Sequence, residues 1–249
     1  MKIALIGYGK MGKTIENIAI LREHEIVLRL DVNNPEDFEK LSQADIAIEF
    51  TRPESAVGNL EKCLAAGVPV VCGTTGWLKH FDDIAAKTKA RNSAFFYASN
   101  YSIGVNIFFE INKRLAEMMN TQPQYEVKME EIHHTQKLDA PSGTAITLAE
   151  GIFQNIERKT NWVCTSDSEQ LVTASGARQE GSDNDIVITA KRIDPAPGTH
   201  TVIYDSPIDT IEITHTAHSR EGFATGAVLA AEWLYGKKGV FSMKDMLGF

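Results

Sequence analysis

The chain has 249 residues, 43% of them hydrophobic and 23% charged, with a formal net charge of −8. That length buries a core in one large domain or two modest ones. The acidic balance supplies no basic face for a nucleic-acid backbone, so no nucleic-acid partner is expected, although a small anion answering to a local pocket stays open. Three cysteines without paired spacing (Cys63, Cys72, Cys164) argue against a disulfide framework, and no run nears the roughly 18 apolar residues of a membrane span, so a soluble, cytoplasmic chain with no membrane partner is expected.

In chain order, KIALI (2–6) is an apolar run too short for a secretory signal and reads as a strand ending at a glycine turn. GYGKMG (7–12) follows, then MGKTIENIAILREH (11–24), with Met11, Ile15, Ile18 and Ala19 at helical spacing. EIVLRLD (25–31), ADIAIEF (44–50), PVVCGT (69–74) and AFFYAS (94–99) read as further strands. PESAVGNLEKCLAAG (53–67) and HFDDIAAKTKARN (80–92) read as the helices between them. Such alternation predicts a doubly wound parallel sheet of Rossmann type.

The texture changes near residue 100, the expected domain boundary. One helix is predicted over 103–119, then strands at 125–132, 185–193, 199–205 and 210–217, separated by turns rich in Gly, Pro, Asp and Ser, and a closing helix over 221–236. Strands outnumber helices here, which predicts an α+β domain with a mixed or antiparallel sheet.

Gly7, Gly9 and Gly12 match G-x-G-x-x-G between a strand and a helix, and Asp31 ends the second strand where a ribose-binding acid is expected. The glycines would give a tight turn, close approach to a pyrophosphate and tight helix packing; a glycine turn kept only for packing is the competing explanation. A carboxylate at Asp31, with no arginine after it, suits the ribose hydroxyls of NAD and repels a 2′-phosphate. Lys10 is the nearest group to offset that repulsion, so NADH is favoured and NADPH stays open. EFTRP (49–53), with Thr51, and CGTTGW (72–77), with Gly73, Thr74 and Thr75, lie at strand C-termini, where a doubly wound sheet binds its ligand. They could equally be plain turns. ASNYS (98–102) falls at the domain crossing.

EIHHTQKLDAPSGTA (131–145) is the densest stretch of chemistry. Adjacent side chains on a strand point to opposite faces, and neither His133–His134 nor the pair His215 and His218 has a ligand spacing for a metal, so no metal is expected. Ser142 is a candidate N-cap for a helix from Gly143. The backbone N–H groups of Gly143 and Thr144, with Lys137 nearby, would then hold a carboxylate. One of His133 and His134 could protonate a reduced substrate while the other binds it. A solvated connector with incidental charges is the plainer explanation.

These residues resemble the 4-hydroxy-tetrahydrodipicolinate reductase (dihydrodipicolinate reductase) family of lysine and diaminopimelate biosynthesis. Its signature E-x-H-H-x-x-K-x-D-A-P-S-G-T-A stands complete here from Glu131 to Ala145. FTRP (50–53), GTTGW (73–77), SNYSIGVN (99–106) and IEITHTAHSREGFATGA (211–227) resemble further family blocks, in order. The resemblance implies a Rossmann domain of residues 1–101 with 219–249, a substrate-binding and oligomerisation domain of residues 102–218, and a homotetramer. It implies NADH- or NADPH-dependent reduction of a small cyclic dicarboxylate with loss of water. His133 would be the proton donor/acceptor, Lys137 the second proton donor, and His134, Gly143 and Thr144 the holders of substrate. Tyr8, Gly9, Lys10, Met11, Asp31, Gly73, Thr74, Thr75, Ala98, Ser99, Asn100 and Tyr101 fall on cofactor positions. The glycine turn is one residue shorter than in many members, and NNPEDFEKLSQ (33–43) replaces a longer stretch, as if one strand-helix unit were trimmed. A different Rossmann oxidoreductase should lack the 131–145 block, and a non-catalytic NAD-binding redox sensor would need a basic face or recognition helix.

Overall fold

The structure, a computed structural model, describes residues 1–31, 33–166, 171–173, 182–219 and 221–249. The chain forms two compact units, Met1–Asn106 with Glu221–Phe249, and Ile107–Arg220.

The first unit begins with β1 (Lys2–Ile6), α1 (Lys10–Leu21) and β2 (Glu25–Leu30). A 3-10 helix (Pro35–Gln43) leads to β3 (Ile46–Glu49), α2 (Pro53–Ala65), β4 (Val70–Cys72), α3 (Phe81–Ala90) and β5 (Ala94–Tyr97). β3 and β4 are buried at every position, which is why they read as continuous apolar runs and not as alternations. α1 buries Gly12, Ile15, Glu16 and Ala19, a stripe at i, i+3, i+4 and i+7. Among the described residues the unit holds one six-stranded sheet whose neighbouring strands are all parallel. Its sixth strand, β12 (Gly239–Phe241), was not legible as a strand; it lies beyond α6 (Glu221–Leu234) and pairs with β5. The sheet order is β12-β5-β4-β3-β1-β2. A doubly wound sheet usually carries another strand outside β2. Among the described residues the chain passes from β2 to β3 through the 3-10 helix, with no strand-helix unit between them.

The second unit holds most of α4 (Ile103–Met119), β6 (Glu126–His133) and α5 (Gly143–Phe153), then β7 (Asn161–Ser166), β8 (Leu171–Thr173), β9 (Asp185–Arg192), β10 (Gly198–Asp205) and β11 (Thr210–Ala217). Its six-stranded sheet runs β11-β10-β6-β9-β7-β8 and is mixed: β6 pairs parallel with β9 and antiparallel with β10. β7 and β8 were not predicted. Phe108, Ala116 and Met119 of α4 and Ala145, Leu148, Ala149 and Ile152 of α5 pack on Val127, Met129, Ile186, Ile188, Val202 and Tyr204 of the sheet. The chain closes with α7 (Met243–Leu247) in the first unit. No helix among the described residues is long and apolar enough to cross a membrane.

Candidate active site

In the first unit the three glycines divide the labour. Gly7 has φ +97°, and a Cβ there would lie 2.0 Å from the Phe50 carbonyl oxygen, so the turn admits glycine alone. A Cβ on Gly12 would meet the Gly7 oxygen at 2.2 Å, which fixes how closely α1 approaches the turn. Gly9 caps α1, and a Cβ on it would meet nothing within 4 Å. Packing therefore explains two of the glycines and leaves Gly9 beside open space. The first helical bond is Lys13 N–H to the Gly9 carbonyl, so the amides before it point out of α1 unpaired within the helix, as an anion needs. The cradle fits a pyrophosphate.

Asp31, just past β2, is exposed; its Oδ1 accepts the Asn33 amide at 2.6 Å, and its own amide donates to the Asn34 side chain at 2.8 Å. This turn fixes the carboxylate at the strand end. Val32 lies outside the described residues, as does Arg220 of the 211–227 block. Thr51 and Thr74 are brought together across the ends of β3 and β4, the Thr51 amide donating to the Thr74 hydroxyl at 2.7 Å. The Thr51 hydroxyl donates to the buried Glu49 carboxylate. Gly73 packs under the Phe50 ring, 2.1 Å from where its Cβ would stand. Thr75 and Ser99 are exposed, Asn100 is half-buried with its Oδ1 accepting the Ser102 amide, and Ala98 is buried. Tyr101 is different. Its side chain is 2% exposed, packed on Phe50 and Phe96, and its hydroxyl donates to the Cys72 carbonyl at 2.7 Å. The whole residue is buried, so its ring and hydroxyl belong to the core.

In the second unit the covered face of β6 runs Val127, Met129, Glu131, His133, every other residue, so the same face changes from apolar to ionisable along the strand. Pairing then supplies the neighbours: Glu131 lies opposite His200 of β10, and His133 opposite Arg192 of β9. Glu131 is wholly buried. One oxygen accepts from Arg192 at 3.0 Å, the other from the Ser142 amide at 2.9 Å, with His200 Nε2 3.6 Å away. Burial alone would raise its pKa. The neighbouring His200 and the donations from Ser142 and Arg192 outweigh burial and hold it down to about 2, a fixed carboxylate.

His133 is buried and its Nδ1 has no hydrogen-bond partner, the Glu131 carboxylate standing 3.8 Å off. Burial pushes the imidazole down to about 4; Glu131 opposes this, while His200, Lys137 and Arg192 add to it. A neutral imidazole therefore sits at the polar end of this face. Its ring meets that of His200 edge-on, 5.0 Å between centroids.

Ser142 caps α5 as expected: its hydroxyl accepts the Ala145 amide at 3.2 Å and pairs with His200 Nε2 at 2.9 Å. Gly143 is exposed and Thr144 half-buried at the first turn. The 134–139 loop is pinned from β9 and beyond. Arg192 donates to the carbonyls of Lys137 (3.2 Å) and Asp139 (2.6 Å), and Asp194 accepts from the Thr135 hydroxyl (2.6 Å). Lys137 Nζ is held by both oxygens of Asp139 at 2.8 Å, and His134 is half-buried.

Glu131, His133 and His200 offer ligand atoms within 4.8 Å of one another, a grouping that could hold a cation. Both Glu131 oxygens and His200 Nε2 are already engaged, and the Arg192 guanidinium stands in the cluster. His133 Nδ1 is left without a hydrogen-bond partner, but the other donors of the grouping are engaged by the protein. His215 and His218 lie outside this grouping; His215 stacks on Phe108. Arg192 and His200 were missed by sequence reasoning, because nothing along the chain says that 192 and 200 flank 131–133.

The parallel sheet, its glycine cradle and the mixed second sheet define a two-unit oxidoreductase with a Rossmann-type NAD(P)-binding domain. Models of the dihydrodipicolinate reductase N-terminus and C-terminus match residues 1–101 and 104–247. The 4-hydroxy-tetrahydrodipicolinate reductase of Christiangramia forsetii is 50% identical over 251 aligned positions, covering 99% of this chain and 98% of that one. That of Neisseria meningitidis serogroup B is 37% identical over 84% of this chain and 74% of its own. The chain belongs to the dihydrodipicolinate reductase family. Its fold is that of the dipicolinate-bound dihydrodipicolinate reductase of Paenisporosarcina sp. TG-14, with a TM-score of 0.77 at 21% identity and 99% of each chain covered.

Proposed function

We propose that the chain reduces 4-hydroxy-tetrahydrodipicolinate to tetrahydrodipicolinate in the diaminopimelate and lysine pathway, as a cytoplasmic homotetramer that favours NADH over NADPH. One hydride and one proton are added and one water leaves. The observation that carries this is the neutral, buried His133 on the same strand face as the fixed Glu131 carboxylate, in the chain segment that runs through Lys137 to the capped start of α5.

Gly7, Gly9, Gly12, Tyr8, Lys10 and Met11 would hold the pyrophosphate of a nicotinamide dinucleotide, Asp31 its ribose, and Thr51, Gly73, Thr74, Thr75, Ala98, Ser99 and Asn100 its nicotinamide end. That cofactor supplies the hydride. The chain's own residues do the rest. The amides of Gly143 and Thr144, with His134, bind a substrate carboxylate, and the α5 dipole favours that anion. Lys137 offers a cation and a second proton once it exchanges Asp139 for substrate. His133 is neutral before substrate arrives; the negative charge of a docked dicarboxylate raises its basicity, so it takes up and delivers a proton only when there is something to protonate.

The test is oxidation of NADH, and separately NADPH, by the purified protein. Pyruvate and aspartate semialdehyde would be supplied through a coupled synthase, with a synthase-free control. Synthase-dependent oxidation is expected, faster with NADH. Dinucleotide binding without turnover would reject the reductase assignment.

A further inference from the structure

Sequence placed no arginine after Asp31 to receive a 2′-phosphate. β2 carries one before it. Arg29 precedes Asp31 by two positions, so both belong to the same side of an extended backbone. The Arg29 guanidinium lies 5.9 Å from the centroid of the Tyr8 ring, in the glycine turn itself. A guanidinium beside that turn has the planar fork that recognises a phosphate.

In this structure the fork is already engaged. Arg29 Nε donates to Glu16 Oε1 at 3.0 Å, and a second guanidinium nitrogen donates to the same oxygen. The other Glu16 oxygen accepts from the Tyr8 hydroxyl. Glu16 sits on the buried stripe of α1, 8% exposed. Hydrogen bonding from Arg29 keeps its carboxyl below the usual range, and the bond to Glu16 raises the Tyr8 phenol. The triad thus links the helix, the strand and the turn that a dinucleotide's adenosine half would meet.

We propose that Glu16 is a cofactor-selecting residue: by holding Arg29 and Tyr8 it withholds the guanidinium from a 2′-phosphate and turns the pocket toward NADH. This rests on the assignment of the first unit as dinucleotide-binding and adds the reason for its selectivity. Asp31 repels the phosphate, and Glu16 removes the nearby arginine that would offset the repulsion. A free Arg29 bonding a phosphate gains a charge-assisted pair of the kind that shifts affinity by about tenfold.

The experiment is a binding titration of NADH and NADPH, followed by nicotinamide fluorescence and requiring no turnover. It compares the parent protein with Glu16→Gln, Glu16→Ala, Arg29→Met and the double variant Glu16→Gln/Arg29→Met. Freeing Arg29 should tighten NADPH by about tenfold while NADH moves less than about threefold, and the double variant should lose the gain. A purely structural ion pair would lower the Tm in Glu16→Gln and leave the NADPH-to-NADH ratio unchanged, which overturns the proposal. If the Glu16 variants do not fold, Arg29→Met decides: a selective loss of NADPH would mean that Arg29 already serves the phosphate and the proposal is wrong. Equal affinities before and after that change support it. If the parent binds neither dinucleotide, the dinucleotide assignment falls as well.

Discussion

The His133 imidazole is uncharged at neutral pH because burial outweighs the carboxylate 3.8 Å away. A docked dicarboxylate should move that balance. We expect an NMR titration of the His133 ring to give a pKa of about 4 in the free protein and a clearly higher one with dipicolinate bound. An unmoved pKa would remove His133 as the proton source. His133→Gln should lower kcat by about a hundredfold or more with little change in KM, the size usual for a general acid; full turnover would assign the proton elsewhere. Lys137→Ala should raise KM and lower kcat together, since it deletes a cation and a donor. At the level of single residues the sequence supplies the proposal: residue types at 133, 134 and 137 suit proton and anion work. It does not supply the charge state of His133, which depends on what the fold buries it with.

Among the elements, the glycine turn separates packing from binding. Gly12→Ala should destabilise the protein, since its Cβ would lie 2.2 Å from the Gly7 carbonyl oxygen. Gly9→Ala should fold with an unchanged Tm and bind dinucleotide weakly, since no protein atom opposes the new methyl. The reverse pattern, in calorimetry and cofactor titration, would mean that the open space beside Gly9 is not the pyrophosphate cradle. In the second unit β6 was legible by its alternation, Val127, Met129, Glu131, His133. Its dependence on β9 was not. Arg192→Met strands the wholly buried Glu131 carboxylate and frees the loop carbonyls of Lys137 and Asp139. Losing one partner of a buried pair costs about 3–5 kcal/mol, so denaturant unfolding should show a large loss in that variant. β8 and β12 escaped prediction because they are three-residue edge strands, and β7, six residues between β9 and β8, because its pairing with β9 and β8 is what makes it a strand.

Across the whole molecule, the two buried ionisable groups on β6 contribute to the loss of stability in acid. His133 falls from its usual 6.5 to about 4, so the unfolded chain binds more protons between those values and stability declines as pH falls through that window. Glu131, lowered from 4.5 to about 2, contributes stability above pH 4.5 that is lost on the way to 2. Each window amounts to roughly 3 kcal/mol at most. Urea midpoints measured from pH 8 to 3 should stay level to about 6.5 and then fall, and a chain carrying His133→Gln should fall less between 6.5 and 4.5, the remaining slope there coming from His215, whose imidazole burial also lowers. Periodicity, turn chemistry and the 131–145 signature are local along the chain, so the doubly wound sheet, its glycine turn with Asp31, the mixed second sheet and the family were legible from the residues alone. It took the folded chain to show that Arg192 and His200 flank Glu131, that Tyr101 points into the core, that Glu16 holds Arg29, and that β12 joins the first sheet. Those facts are strand pairings and side-chain meetings between residues far apart in sequence. No local pattern encodes them, and burial and charge are settled only once the partners have met.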